Sequence, residues 1–184
     1  MKKVVNLICL SIVILSCEKA TEPSSIISPQ SNVFTDAEYF VLSSLLDSLQ
    51  ISSSVDTIVL NDSTDTGIFP INSDSTLTDL LVYIQEHIPT LASETIIDYK
   101  SKNLKRSFID SPQKINVKCV LKSETMKVYP FISVSRVGFS SNGQQALAYI
   151  GSSYAPLAGA GIYYVLSRAQ DNWYIIGSVM TLIS

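Results

Sequence analysis

Histidine is nearly absent from this chain: His87 is the single one among 184 residues. A zinc site built on several imidazoles is therefore excluded, and a Ser-His-Asp hydrolase would have to use His87 itself. No Gly-x-Ser-x-Gly elbow marks a partner serine, so the hydrolase reading loses its nucleophile as well. Cysteine is scarce, at three residues, and charged residues make up only 16% of the chain. Thirteen basic residues face sixteen acidic ones, which argues against a nucleic-acid surface, where a basic patch is the rule. No uninterrupted apolar run reaches the roughly 20 residues of a membrane-spanning helix.

The scarce cysteines acquire meaning from the start of the chain. Lys2 and Lys3 precede an apolar stretch over residues 4–15, broken only by Asn6 and Ser11. That length fits the hydrophobic region of an export signal. Ile14, Leu15, Ser16 and Cys17 follow, two bulky aliphatics and a small residue before cysteine, and this resembles the lipobox of bacterial lipoproteins. The resemblance implies a signal peptide over residues 1–16, acylation of Cys17 and a domain held outside the cytoplasm. The anchor would sit in the outer membrane or in the outer leaflet of the cytoplasmic membrane. Two or three acyl chains, at about 0.8 kcal/mol per buried CH₂, give stable anchoring. Cys9 leaves with the leader, so Cys119 stands alone. Its alternating surroundings, residues 115–121, predict a buried apolar thiol without an intrachain disulfide.

Residues 17–32 carry Pro23, Pro29 and several serines and read as a flexible tether. An α+β domain is expected over residues 33–184. Thr35 and Glu38 form a capping box, with Phe34 and Tyr39 placed as a hydrophobic staple. Leu42, Leu45, Leu46 and Leu49 recur at helical spacing, with Ser43, Ser44, Asp47 and Ser48 on the wet face. A strand is predicted over residues 55–60. The polar turn after it contains Asp65, Thr66 and Gly67, the triplet of aspartic proteases. That chemistry needs two carboxylates and an apolar strand directly before the triplet, and neither is present. A calcium loop through Asp62, Thr64, Thr66 and Gly67 fails because Ser73 stands where the bidentate glutamate belongs.

Ser75 and Thr76 start a second helix that ends at Pro89, with His87 in its last turn, where a cation suits the helix dipole. Thr90 is placed to cap a third helix running to Asn103. Lys100, Lys102, Lys105 and Arg106 gather at its end as a solvated face or a contact to anionic headgroups. A strand over residues 114–122 and a loop over 123–130 lead into an antiparallel meander. Its predicted strands are residues 132–139, 145–150, 162–166 and 173–183. Asn142 and Gly143 signal a tight hairpin, and residues 151–161 read as a connection of small residues. Gly159 and Gly161 precede a strand and not a helix, so no dinucleotide loop and no cofactor are expected.

The predicted architecture is about three helices packed on one face of a curved antiparallel sheet of four to six strands. A pocket or partner would cover the other face. This resembles cystatin-like or NTF2-like domains as a fold-level analogy.

Ser135, Arg136, Val137, Gly138 and Phe139, then Gln145, Ala146, Leu147 and Tyr149, then Leu157, Gly159, Gly161, Leu166 and Trp173 resemble a block of an exported bacterial lipoprotein family. Asp98 and Tyr99, with Lys102 and Asn103, match that family's upstream segment. The resemblance covers most of residues 90–184. It implies an exported fold unit and carries no established activity.

The sequence leads first to a membrane-tethered module that binds an envelope protein or a small ligand without catalysis. The alternatives are an envelope enzyme with Arg136 as electrophile or anion clamp and Asp98 or Glu94 as base, and an inhibitor or immunity-type protein. Arg136 interrupts an apolar strand and is expected at an edge or bulge facing water, unless it turns into a pocket beside a carboxylate.

Overall fold

The computed structural model describes residues 33–49, 57–65, 77–123 and 125–183. The leader, Cys17 and the tether lie outside the described residues, as do Thr66, Gly67, Ser73, Ser75, Thr76 and the start of the first predicted strand. In chain order the elements are α1 (Asp36–Ser48), β1 (Ile58–Asn61), α2 (Leu77–His87), α3 (Ser93–Asn103), β2 (Cys119–Lys122), β3 (Phe131–Val134), β4 (Gly138–Phe139), β5 (Gln145–Ala155), β6 (Ala158–Ala169) and β7 (Asn172–Ile183). A short 3₁₀ turn, Pro112–Lys114, precedes β2. The fold is α+β, and the three helices of the described residues pack against an open sheet. No helix among the described residues is long and apolar enough to cross a membrane.

The sheet is mixed and not wholly antiparallel. Its order is β2-β1-β3-β5-β6-β7, with β4 also paired to β5. β1 runs parallel to both β2 and β3. Parallel neighbours need long crossovers, and here the crossovers carry α2, α3 and the 3₁₀ turn. The predicted connection over residues 151–161 is instead the far half of a long hairpin. β5 and β6 stay paired out to Ala155 and Ala158, leaving only Pro156 and Leu157 to turn. Small residues there permit close strands and do not end them.

Helices cover both faces of the sheet, not one. Alternation along β5 sends Ala146, Ala148 and Ile150 toward α1, where they join Leu42, Leu45 and Leu46. Leu147 and Tyr149 point the opposite way, into a second core with Leu81, Ile84 and Tyr99 from α2 and α3. Apolar character on both faces of a central strand thus has a plain cause: each face is buried.

α1 begins as its residues dictate, with both bonds of the capping box formed between Thr35 and Glu38. The staple rings of Phe34 and Tyr39 lie 5.4 Å apart. Ser43 departs from its predicted wet position. It is buried, donates to the Tyr39 carbonyl and accepts from the Asn116 amide at 3.1 Å. The segment after the 3₁₀ turn covers that side of the helix. Cys119 is half-buried, and burial raises its thiol pKa.

α3 starts at Ser93, later than the cap expected at Thr90. Ala92, at the N-cap, supplies no side-chain bond. The acceptor comes from the sheet: Gln145 Oε1 takes the Ala92 amide at 2.8 Å and the Thr95 hydroxyl at 3.0 Å, while its Nε2 donates to the Thr90 carbonyl. A tertiary cap of this kind is invisible to local spacing.

Candidate functional site

The predicted strand over residues 132–139 is two strands, β3 and β4, separated by Ser135, Arg136 and Val137. The break is stitched by side chains. Ser135 Oγ accepts the Tyr149 amide at 2.9 Å, holding β5 where a ladder bond is lost. Arg136 is buried, not water-facing, and its Nε and Nη2 donate to the two carboxylate oxygens of Glu38 at 2.7 and 2.8 Å. Phe34 closes over the guanidinium, its ring centre 5.1 Å away.

The Glu38 carboxylate is wholly buried and also accepts the amides of Val137 and Thr35. Burial alone would raise its pKa. The hydrogen bonds from Arg136 and Thr35, with the positive charges of Arg136 and Lys102, outweigh that and leave it below its ordinary value.

The other residues marked for catalysis do not join this pair. Asp98 binds Lys102 at 2.7 Å and accepts the Phe139 amide at 2.7 Å. Glu94 is exposed in the first turn of α3, where a negative charge suits the helix dipole. Arg136, Asp98 and Glu94 therefore do not converge on one cleft. Each of the first two serves as a structural clasp. His87 sits exposed at the end of α2, with Nδ1 2.8 Å from the Tyr83 carbonyl.

Two clefts, each of about 520 Å³, open at the end of the sheet near the β5–β6 turn. They lie on opposite sheet faces and share Tyr129, Phe131 and Ser152 as lining. The cleft on the α1 side is apolar, walled by Ile132, Ile150, Ile162 and Tyr164. The other has Asn61, Asp65, Lys122 and Ser133 in its lining, and its construction follows from strand register. Asn61 pairs with Lys122, the parallel step from Leu60–Ile132 brings Ser133 beside Asn61, Ser133 pairs with Gly151, and Gly151 with Gly161. One row across five strands thus carries an ammonium, an amide and a hydroxyl and ends on two glycines. Asp65 enters from the turn after β1, where its carboxylate accepts the Ser133 hydroxyl at 3.2 Å.

The glycines have a reason. The Tyr149 hydroxyl lies where a Cβ on Gly161 would stand, and a Cβ on Gly151 would come 3.1 Å from it. Tyr149, Tyr163 and Tyr99 form a buried aromatic cluster, with ring centres 5.0 and 5.8 Å apart in successive pairs. Burial pushes all three phenols well above their ordinary pKa. Sequence reasoning missed this row because its members come from five strands. In the sequence, Asp65 stands out only as part of a protease triplet.

Lys122 is buried and already committed. Its ammonium donates to the carbonyls of Ser123 and Met126 and lies 4.0 Å from the Phe131 ring centre. Asn61 is not satisfied. Its Nδ2 donates to Ser63, while its buried Oδ1 has no hydrogen-bond partner among the described residues. No group of three or more metal-ligating side chains occurs among the described residues. No family model, curated protein or solved structure matches this chain.

Proposed function

We propose that this protein is a cell-envelope lipoprotein, tethered through acylated Cys17, whose domain binds a ligand at the open end of its sheet. The observation that carries the reading is the division of labour among polar groups. Arg136 and Asp98 are consumed by bonds that hold elements together, whereas the sheet end presents two clefts with a common aromatic wall. Clefts of this size, with a few fixed polar groups, are the usual form of small-ligand sites. The family resemblance of the 135–173 block agrees with an exported fold unit and adds no activity to it.

Two measurements test the two halves of the reading. Labelled palmitate should enter the wild-type chain and not Cys17→Ala, which should also leave the membrane fraction. Protein purified from its native envelope should carry a stoichiometric small molecule that is lost in Tyr129→Ala. Cytoplasmic, unlabelled wild-type protein would defeat the first half. Retention of the ligand by Tyr129→Ala would defeat the second.

A further inference from the structure

The two edges of the sheet are built differently. On one side lies β2, only four residues long, preceded by the exposed Lys118 and backed by the 3₁₀ turn, whose Pro112 carbonyl accepts from Cys119 Sγ. A short strand flanked by lysine is one way in which an edge is kept from pairing. On the other side β7 runs for twelve residues, Asn172–Ile183, and contains neither a charged residue nor a proline. It pairs with β6, and no strand lies on its outer side among the described residues. Tyr174, Ile176 and Met180 on it are 53%, 47% and 49% exposed. Neither cleft takes a lining residue from β7, so ligand binding leaves this edge unused.

An open row of backbone donors and acceptors is matched by another strand. When a strand pairs with its own copy about a two-fold axis, any charge near the axis meets itself. β7 has none, so its two copies meet without repulsion. Its bulges narrow the register. Ile176 and Thr181 are the extra residues, each skipped between consecutive partners on β6. Between them residues 177–180 pair one for one with residues 165–162, in the middle of the strand. In that stretch Gly177 backs onto Ile88 and Val179 is buried, while Ser178 is exposed. With Ser178 on the axis, Ile176 of each copy stands opposite Met180 of the other, joining half-exposed apolar side chains twice. We propose that two copies of this chain pair β7 to β7, antiparallel about a two-fold axis at Ser178, into one continuous sheet. The β2 edge does not match β7 in length or charge, so the assembly closes at two.

The test uses the full-length protein in its own envelope. On mild oxidation Ser178→Cys should give a disulfide-linked homodimer, because residues paired on the axis come within disulfide reach, with Cα atoms about 4.4–6.8 Å apart. Ile176→Cys and Met180→Cys should each fail alone, their two copies lying about 13 Å apart along the strands. Placed together in one chain, they should cross-link. Wild type should not, since Cys119 belongs to the opposite edge. Purified wild type should show twice the chain mass by native mass spectrometry. Ser178→Lys sets two ammonium groups face to face and should raise the dimer's dissociation constant at least about tenfold, with the wild-type circular dichroism retained. Should that variant not fold, the cysteine pattern decides alone. A monomeric wild type, no cross-link through Ser178→Cys, equal cross-linking at all three positions, or a cross-link to a different protein would each overturn the pairing.

Discussion

Asp98 accepts the backbone amide of Phe139 at 2.7 Å, and it is the first of four contacts that step in order along two segments. The Tyr99 backbone lies against Gly138, Lys102 donates to the Val137 carbonyl at 3.1 Å, and the Asn103 amide exchanges two bonds with the backbone of Arg136. Helix positions 98, 99, 102 and 103 share one face, and they meet residues 139, 138, 137 and 136 in reverse. The broken strand is thus stitched to α3 on one side and to α1, through Glu38, on the other.

Gly138 is the tightest point of that seam. A Cβ there would stand 2.5 Å from the Tyr99 amide nitrogen and 2.6 Å from its Cα, and backbone cannot yield as a flexible side chain can. Gly138→Ala is expected to cost about 2 kcal/mol or more, within or above the range for overpacking. Urea unfolding of the variant measures it, and an unchanged midpoint would contradict the close approach.

The Glu38–Arg136 pair predicts an asymmetric mutational response. Removing one partner, as in Glu38→Leu or Arg136→Met, leaves a buried charge alone and should cost about 3 to 5 kcal/mol. Replacing both together by Glu38→Leu with Arg136→Met should cost less than the two single changes added. A fully additive double-variant cycle would show that the two groups do not interact.

The same pair sets an acid dependence. The folded pKa of Glu38 is below its ordinary 4.5, so its contribution is present above the unfolded value and is lost as pH falls through the folded one. Urea midpoints measured from pH 6 down to pH 3 should decline, and the decline should be shallower in Glu38→Gln. Equal slopes would contradict this.

Tyrosine gives the alkaline counterpart. Burial, followed by the hydrogen bond to Asp110, pushes Tyr39 up to about 12, and burial raises Tyr99, Tyr149, Tyr163 and Tyr164 as well. A raised phenol pKa stabilises the fold below the unfolded value near 10 and stops doing so as pH rises through the folded value. Absorbance at 295 nm should show these phenols ionising late, together with loss of folded structure. Because the Tyr149 hydroxyl is buried without a hydrogen-bond partner among the described residues, Tyr149→Phe should be nearly neutral or stabilising in urea.

How much of this was legible in the sequence depends on the range of the interaction. The capping box of Thr35 and Glu38, the leucine stripe of α1 and the hairpin at Asn142 and Gly143 are local, and local spacing predicted them. Gly143 takes φ +66° as that turn requires. Arg136 drew attention for interrupting a strand, yet its partner stands 98 positions away, beyond any periodicity. Gln145 caps α3 from another element for the same reason. The α+β class followed from the order of helical and alternating segments. The parallel pairing of β1 did not, because nothing in four residues records which neighbour they face. The polar row needed register, and register needed the sheet.

The central claim is that structural and binding polar groups are separate in this fold. Native mass spectrometry of full-length protein from its own envelope compares them directly in three forms: wild type, the Glu38→Leu with Arg136→Met double variant, and Tyr129→Ala. A bound small molecule should remain on the first two and be missing from the third. Its loss from a folded double variant, with retention by Tyr129→Ala, would place the site at Arg136 and contradict the account.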